Sequence, residues 1–137
     1  MSAEVKVKGL IFDLDGTLLD TLEDLRDSCN HVMAAHGYPE CSLENTRYHV
    51  GEGLRRMLGM ASGLAPLAAD LVRPGVGEKT APLLADMTAS YGAHWAVQSR
   101  PYAGNTGMLE RVAAARNPTA VLPDLGHELT DEIVEHF

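Results

Sequence analysis

Residues 9–21 read Gly9-Leu10-Ile11-Phe12-Asp13-Leu14-Asp15-Gly16-Thr17-Leu18-Leu19-Asp20-Thr21. Leu10, Ile11 and Phe12 are apolar without alternation, the pattern of a parallel strand covered on both faces. Upstream, Val5 and Val7 alternate with Lys6 and Lys8 and extend that pattern towards the N-terminus. Asp15-Gly16 then signals a turn. Open α/β sheets place their active groups where such a strand ends. In extended backbone, residues i and i+2 point to one side, so Asp13 and Asp15 converge. Two carboxylates that close need a cation or a shared proton. Mg2+ suits them, because it takes oxygen ligands and bridges to phosphate. One carboxylate can attack phosphorus. The other can give a proton to the leaving oxygen and later take one from water. Gly16 allows the backbone to approach a phosphate closely. The competing reading is a plain turn or a calcium loop. The calcium loop fails: counted from Asp13, Leu18 stands where glycine is required, and Asp24 where glutamate is.

Working outward, a helix follows. Thr21 can cap it, with Asp24 three residues on, close to a capping box. Leu22, Leu25, Cys29, Val32 and Met33 form one apolar stripe, and Gly37 with Pro39 closes it. Ser42 is expected to cap a short helix running through Tyr48. Gly51 and Gly53 break the chain before a stripe of Leu54, Met57, Leu58 and Ala61. Arg73 to Gly77 reads as a loop. A longer helix then carries Leu83, Leu84, Met87, Tyr91 and Trp95, stopped by Pro101 and Gly104. Another helix is expected from about Thr106 to Arg116. Thr119 to Leu122 reads as a short buried strand, and Leu129, Ile133, Val134 and Phe137 as a final helical stripe. The expected order is strand, four or five helices, strand, helix. Two parallel strands alone make a weak sheet, so an open sheet edge that pairs with a second copy is one expectation.

The 137 residues are 45% apolar and 22% charged, a globular balance. Lys+Arg 11 against Asp+Glu 19 gives a net charge of −8. Nucleic acid and anionic lipid are therefore poor partners. A phosphorylated anion can still bind if a metal or a local basic pocket receives it. No apolar run is long enough for a membrane span or a secretory signal. Cys29 and Cys41 lack a Cys-x-x-Cys pattern, and six histidines are scattered without paired spacing. Reduced thiols in a cytoplasmic chain are the expected state.

The stretch from Gly9 to Thr21 resembles the first motif of the haloacid dehalogenase superfamily of phosphatases, and more narrowly its phosphoglycolate phosphatase group. Val50-Gly51-Glu52-Gly53-Leu54-Arg55-Arg56-Met57-Leu58 resembles that group's helical cap. Arg100-Pro101-Tyr102-Ala103-Gly104 with Met108-Leu109 resembles its return to the core, and His127-Glu128-Leu129-Thr130 with Phe137 the helix after the second core strand. The resemblance implies an α/β fold: the N-terminal part of a Rossmann-like parallel-sheet core with two strands visible and an inserted α-helical cap. The core would comprise residues 1–20 and 100–137, and the cap residues 21–99. It further implies a Mg2+-dependent hydrolase of small phosphomonoesters, most of all 2-phosphoglycolate, acting through an aspartyl-phosphate. Asp13 would be the nucleophile and Asp15 the general acid and base. The Asp13 carboxylate and the Asp15 carbonyl would hold the metal, and the amides of Leu14 and Asp15 would face the phosphate. Arg55 is a candidate for the substrate carboxylate, against the alternative of a solvated helix face.

The chain also departs from the family pattern. A Ser or Thr is expected at the end of the second core strand, where Pro123 stands without a hydroxyl or an amide hydrogen. A later Lys and an acidic pair are expected further on. No Lys follows Lys79, and Asp124 and Asp131 lie outside the expected context. These departures imply a chain truncated after its second core strand. They raise a second expectation: a non-catalytic relative, whether fragment, pseudoenzyme or self-pairing module.

Overall fold

The computed structural model describes residues 6–123 and 127–137. Strand β1 (Leu10–Phe12) pairs in parallel with β4 (Thr119–Val121), setting Leu10 opposite Thr119, Ile11 opposite Ala120 and Phe12 opposite Val121. The Leu10 amide donates to the Pro118 carbonyl at 2.9 Å, and the Leu122 amide to the Phe12 carbonyl at 2.8 Å, extending the ladder at both ends. Val5 lies outside the described residues, and Val7 is exposed rather than part of β1. The expectation of cover on both faces is met on one: Leu10 and Phe12 are half-buried, while Ile11 is 73% exposed. Period-two geometry puts Ile11 on the opposite face from its neighbours.

Two further strands were not foreseen. Strand β2 (Leu19–Asp20) pairs antiparallel with β3 (Arg100–Pro101), Leu19 opposite Pro101 and Asp20 opposite Arg100. Pro101 therefore ends no helix; it sits on a two-residue ribbon whose edge tolerates a missing donor. Between β2 and β3 run helices α1 (Leu22–Ala35), α2 (Leu43–His49) and α3 (Leu54–Ser62), a 3-10 turn (Ala68–Val72), and α4 (Val76–His94). Helix α5 (Asn105–Ala114) leads into β4, and α6 (His127–His136) follows it. This is the expected α/β fold, with a parallel pair and an inserted helical layer.

Helix α1 packs on α4, α2 and α3, and its stripe is the reason. Leu25, Cys29, Val32 and Met33 are buried against Met57, Leu58, Leu83, Met87 and Tyr91. Each such side chain contributes about 1.5–3 kcal/mol relative to exposure. Gly59 permits the closest approach, since a Cβ there would lie 2.9 Å from the Ala65 Cβ. Ser42 caps α2 as expected, its Oγ accepting from the Asn45 amide at 3.1 Å.

Thr21 does not cap α1. It adopts non-extended backbone at the N-cap position, and its hydroxyl is spent elsewhere. Nor does Asp24 complete a capping box. It is buried and accepts from the Gln98 amide, the Ser99 amide at 2.8 Å and the Ser99 hydroxyl at 2.7 Å. The start of α1 is thereby tied to the segment that returns to β3. Helix α4 begins at Val76, inside the expected loop, and ends at His94. Trp95 then meets His136 and Phe137 edge-on, at ring separations of 5.1 and 5.9 Å. No helix among the described residues is long and apolar enough to cross a membrane.

Candidate active site

The Leu14 side chain is buried and anchors the turn that follows β1. The Thr17, Leu18 and Leu19 amides all donate to the Leu14 carbonyl, at 3.3, 3.0 and 3.0 Å, and the Gly16 amide donates to the Leu19 carbonyl at 2.8 Å. This winding needs the φ of +74° at Gly16, a left-handed conformation that glycine takes without a Cβ penalty. The turn presents Asp13 and Asp15 at the carboxyl end of β1. Asp13 is exposed, and its Oδ1 accepts from the Leu14 amide at 2.8 Å. Asp15 is half-buried, and its Oδ1 accepts from the Thr21 hydroxyl at 2.6 Å.

Asp13 and Asp15 line one hollow of about 20 Å³, together with Leu25, Val50, Gly51, Gly53, Leu54 and Met57. That volume is on the scale of one water molecule. The helical layer thus already lies close above the acids. Asp15 also lines a larger, open hollow of about 510 Å³ with Gly16, Asp20, Thr21, Arg47 and Tyr102. Burial and the charge of Asp20 push the Tyr102 phenol up, and Arg47 works against them. Deeper in, burial and the charges of Asp15 and Asp24 push the Tyr91 phenol far up, with Thr21 opposing. Its hydroxyl is buried and meets hydrogen-bond geometry with no described group.

The chemistry of the donors fits a hard divalent ion. Mg2+ binds through one or two carboxylates, completing its shell with water and substrate phosphate. Asp13 offers one such carboxylate at this hollow, and Asp15 beside it a backbone carbonyl oxygen. Among the described residues no group of three or more His, Cys, Asp or Glu is placed to hold a metal ion.

The structure therefore brings Asp13 and Asp15 together as the spacing implies. The Leu14 amide is engaged by the neighbouring Asp13 carboxylate. Arg55 is exposed on α3 and lines neither hollow. Pro123 follows the Leu122 amide that pairs with Phe12, so it stands beside the end of β1, where it offers no hydroxyl. Asp124 lies outside the described residues. Lys6, Lys8 and Lys79 are exposed and line neither hollow. Arg47 and Tyr102 went unread as site residues: no local pattern marks them, and packing brings them to Asp15.

The family described as haloacid dehalogenase-like hydrolase matches residues 10–137. The chain is similar to an N-acetylmuramic acid 6-phosphate phosphatase of Pseudomonas aeruginosa, 36% identical over 111 residues, covering 81% of this chain and 45% of that one. It is similar to a phosphoglycolate phosphatase of Agrobacterium fabrum, 35% identical, with the same coverage of 81% and 45%. The chain thus spans less than half the length of these relatives. In fold it resembles a predicted phosphatase from Clostridium acetobutylicum, with a TM-score of 0.79 and 18% identity, covering 95% of this chain and 55% of that one. Matched from the first residue of β1 to its last residue, the chain belongs to the haloacid dehalogenase-like hydrolase family.

Proposed function

We propose that this chain carries the nucleophile of a phosphatase for small phosphomonoesters, 2-phosphoglycolate foremost, acting through an aspartyl-phosphate. The observation that supports it is the placing of Asp13 and Asp15 on one hollow at the end of β1. An Asp13 carboxylate oxygen attacks phosphorus, and the bond from phosphorus to the ester oxygen breaks. Asp15 gives its proton to that leaving oxygen. Water then attacks the acyl phosphate and passes a proton to Asp15, releasing inorganic phosphate and restoring Asp13. Thr21 orients Asp15 for both transfers. The amides of Leu14 and Asp15 receive phosphate oxygens, the former once Asp13 turns from it to the substrate. Mg2+, held by the Asp13 carboxylate and the Asp15 carbonyl, would neutralise charge on the phosphate when bound. Residues 1–20 and 100–137 act as core and residues 21–99 as a cap that excludes water. The two free cysteines support a cytoplasmic setting.

Pro123 favours a second reading. Without a hydroxyl at that position, the chain binds phosphate esters but does not turn them over. In that reading the chain is a non-catalytic relative, a pseudoenzyme or a module that pairs its open sheet edge with a second copy. Losing one such electrostatic donor slows transfer by about 10²–10³-fold.

The test is Mg2+-dependent phosphate release from 2-phosphoglycolate and from N-acetylmuramic acid 6-phosphate. Asp13→Asn is expected to abolish release, a fall of about 10³-fold or more. Release that survives Asp13→Asn would sink the nucleophile assignment. No release from soluble, folded chain selects the second reading.

A further inference from the structure

Among the described residues, Arg56 Nε and the Tyr91 hydroxyl are buried and meet no hydrogen-bond partner. For Arg56 the charge is answered by Glu52 at 3.6 Å, and its other nitrogens donate to the Ala65 and Pro66 carbonyls. Tyr91 has no such relief. It stands on α4 with no exposed surface, among the side chains that seal α1 against α4. A buried hydroxyl without a partner costs stability, so its position asks for a reason.

The neighbours supply one. The Tyr91 hydroxyl lies beside the Thr21 hydroxyl, with Asp15 and Asp24 near enough to act on it by charge. Asp24 is engaged by Gln98 and Ser99. Thr21 donates its one hydrogen to Asp15 Oδ1 at 2.6 Å and keeps lone pairs with which to accept. A hydroxyl can exchange those roles. When Asp15 is protonated, the proton can sit on Oδ1 and be donated to Thr21, and a proton held there is not available to a leaving oxygen. A phenol that donates to Thr21 Oγ disfavours the exchange, because the Thr21 hydrogen is then left for Asp15.

We propose that Tyr91 is a positioning residue for proton transfer: its hydroxyl donates to Thr21 Oγ, commits the Thr21 hydrogen to Asp15 Oδ1, and so keeps the transferable proton on Oδ2. This rests on the phosphatase reading and deepens it. In the acid step the proton passes from Oδ2 to the ester oxygen as that oxygen's bond to phosphorus breaks. In the base step Asp15 is an anion, Thr21 can only donate to it, and the lock is not needed.

Stability tests the contact without turnover. Urea midpoints are compared across Tyr91→Phe, Thr21→Val and the pair. Tyr91→Phe is expected to lower the midpoint, and to lower it less when Thr21 is already Val. A hydroxyl that stays without a partner would give the opposite, a midpoint raised by its removal. That result, or simple additivity, overturns the proposal whether or not the chain is active. Turnover with Mg2+ then tests the role. It compares 2-phosphoglycolate, whose alkoxide needs a proton to leave, with p-nitrophenyl phosphate, whose phenolate leaves without one. Tyr91→Phe should lower kcat about 10-fold on 2-phosphoglycolate, part of what a general acid contributes, and change it less than about twofold on p-nitrophenyl phosphate. Equal losses on both esters would make Tyr91 structural only and overturn the assignment with the phosphatase reading intact. If the parent chain hydrolyses neither ester while the coupling is present, the phosphatase reading fails, and the role of Tyr91 in proton transfer falls with it.

Discussion

The helical layer and the parallel strand pair are both apolar in sequence, yet they are buried very differently. In the layer, Val32, Met33, Leu58, Met87 and Tyr91 have no exposed surface at all. In the pair, Ile11 is 73% and Leu122 is 71% exposed. A helix stripe finds its partners among neighbouring helices of the same segment, so local sequence is enough to seal it. A strand presents two faces and two edges, and the described residues cover only some of them. Stability therefore concentrates in the layer, while the reacting carboxylates are mounted on the less covered pair.

The strongest way to break this contrast is to truncate one side chain from each region. Leu83→Ala in α4 should lose about 2–5 kcal/mol in urea unfolding, whereas Ile11→Ala should stay within about 0.5 kcal/mol. Equal losses would show that the pair is as tightly packed as the layer. Asp24→Ala probes the tie between the regions. It strips partners from the Gln98 and Ser99 amides and should cost about 1–3 kcal/mol, with faster hydrogen exchange at those two amides. Exchange unchanged at both would mean that the returning segment is held by other contacts.

The smallest expected effect is one of pH. Burial, with Arg56 adding to it, holds His49 below the usual histidine range. Above about pH 6.5 the residue is neutral in both states and contributes nothing to the slope. As the pH falls below that value, the unfolded chain takes the proton first, so stability declines until the folded state also titrates. His49→Gln should flatten that decline in denaturation midpoints measured between about pH 7 and 5. An unchanged slope would place the pH response elsewhere.

What could be read beforehand follows from range of interaction. Asp13 and Asp15 were legible because the apolar run and the Asp15-Gly16 turn signal place both at the end of β1, within a few residues of each other. The α1 stripe and the Ser42 cap were legible because each is settled within a few residues. Strands β2 and β3 were not, since two residues hold no period. Thr21 looked like a cap because its position allows one; the competing acceptor at Asp15 appears only when the turn folds back. Arg47 gave no signal, because its neighbourhood is made by α2 packing on α1 and α3.

The pairing of Leu19 with Pro101 and Asp20 with Arg100 has one more implication. Antiparallel partners sit about 5 Å apart, so the long helical excursion departs and arrives at nearly the same point in space. Beyond Thr21, whose hydroxyl bonds to Asp15, what is built between those two positions can change without moving the strands that carry the turn. Lineages can lengthen, shorten or exchange that stretch as they would a surface loop. The Asp13–Asp15 turn would stay as it is while the room above it was rebuilt around a new customer.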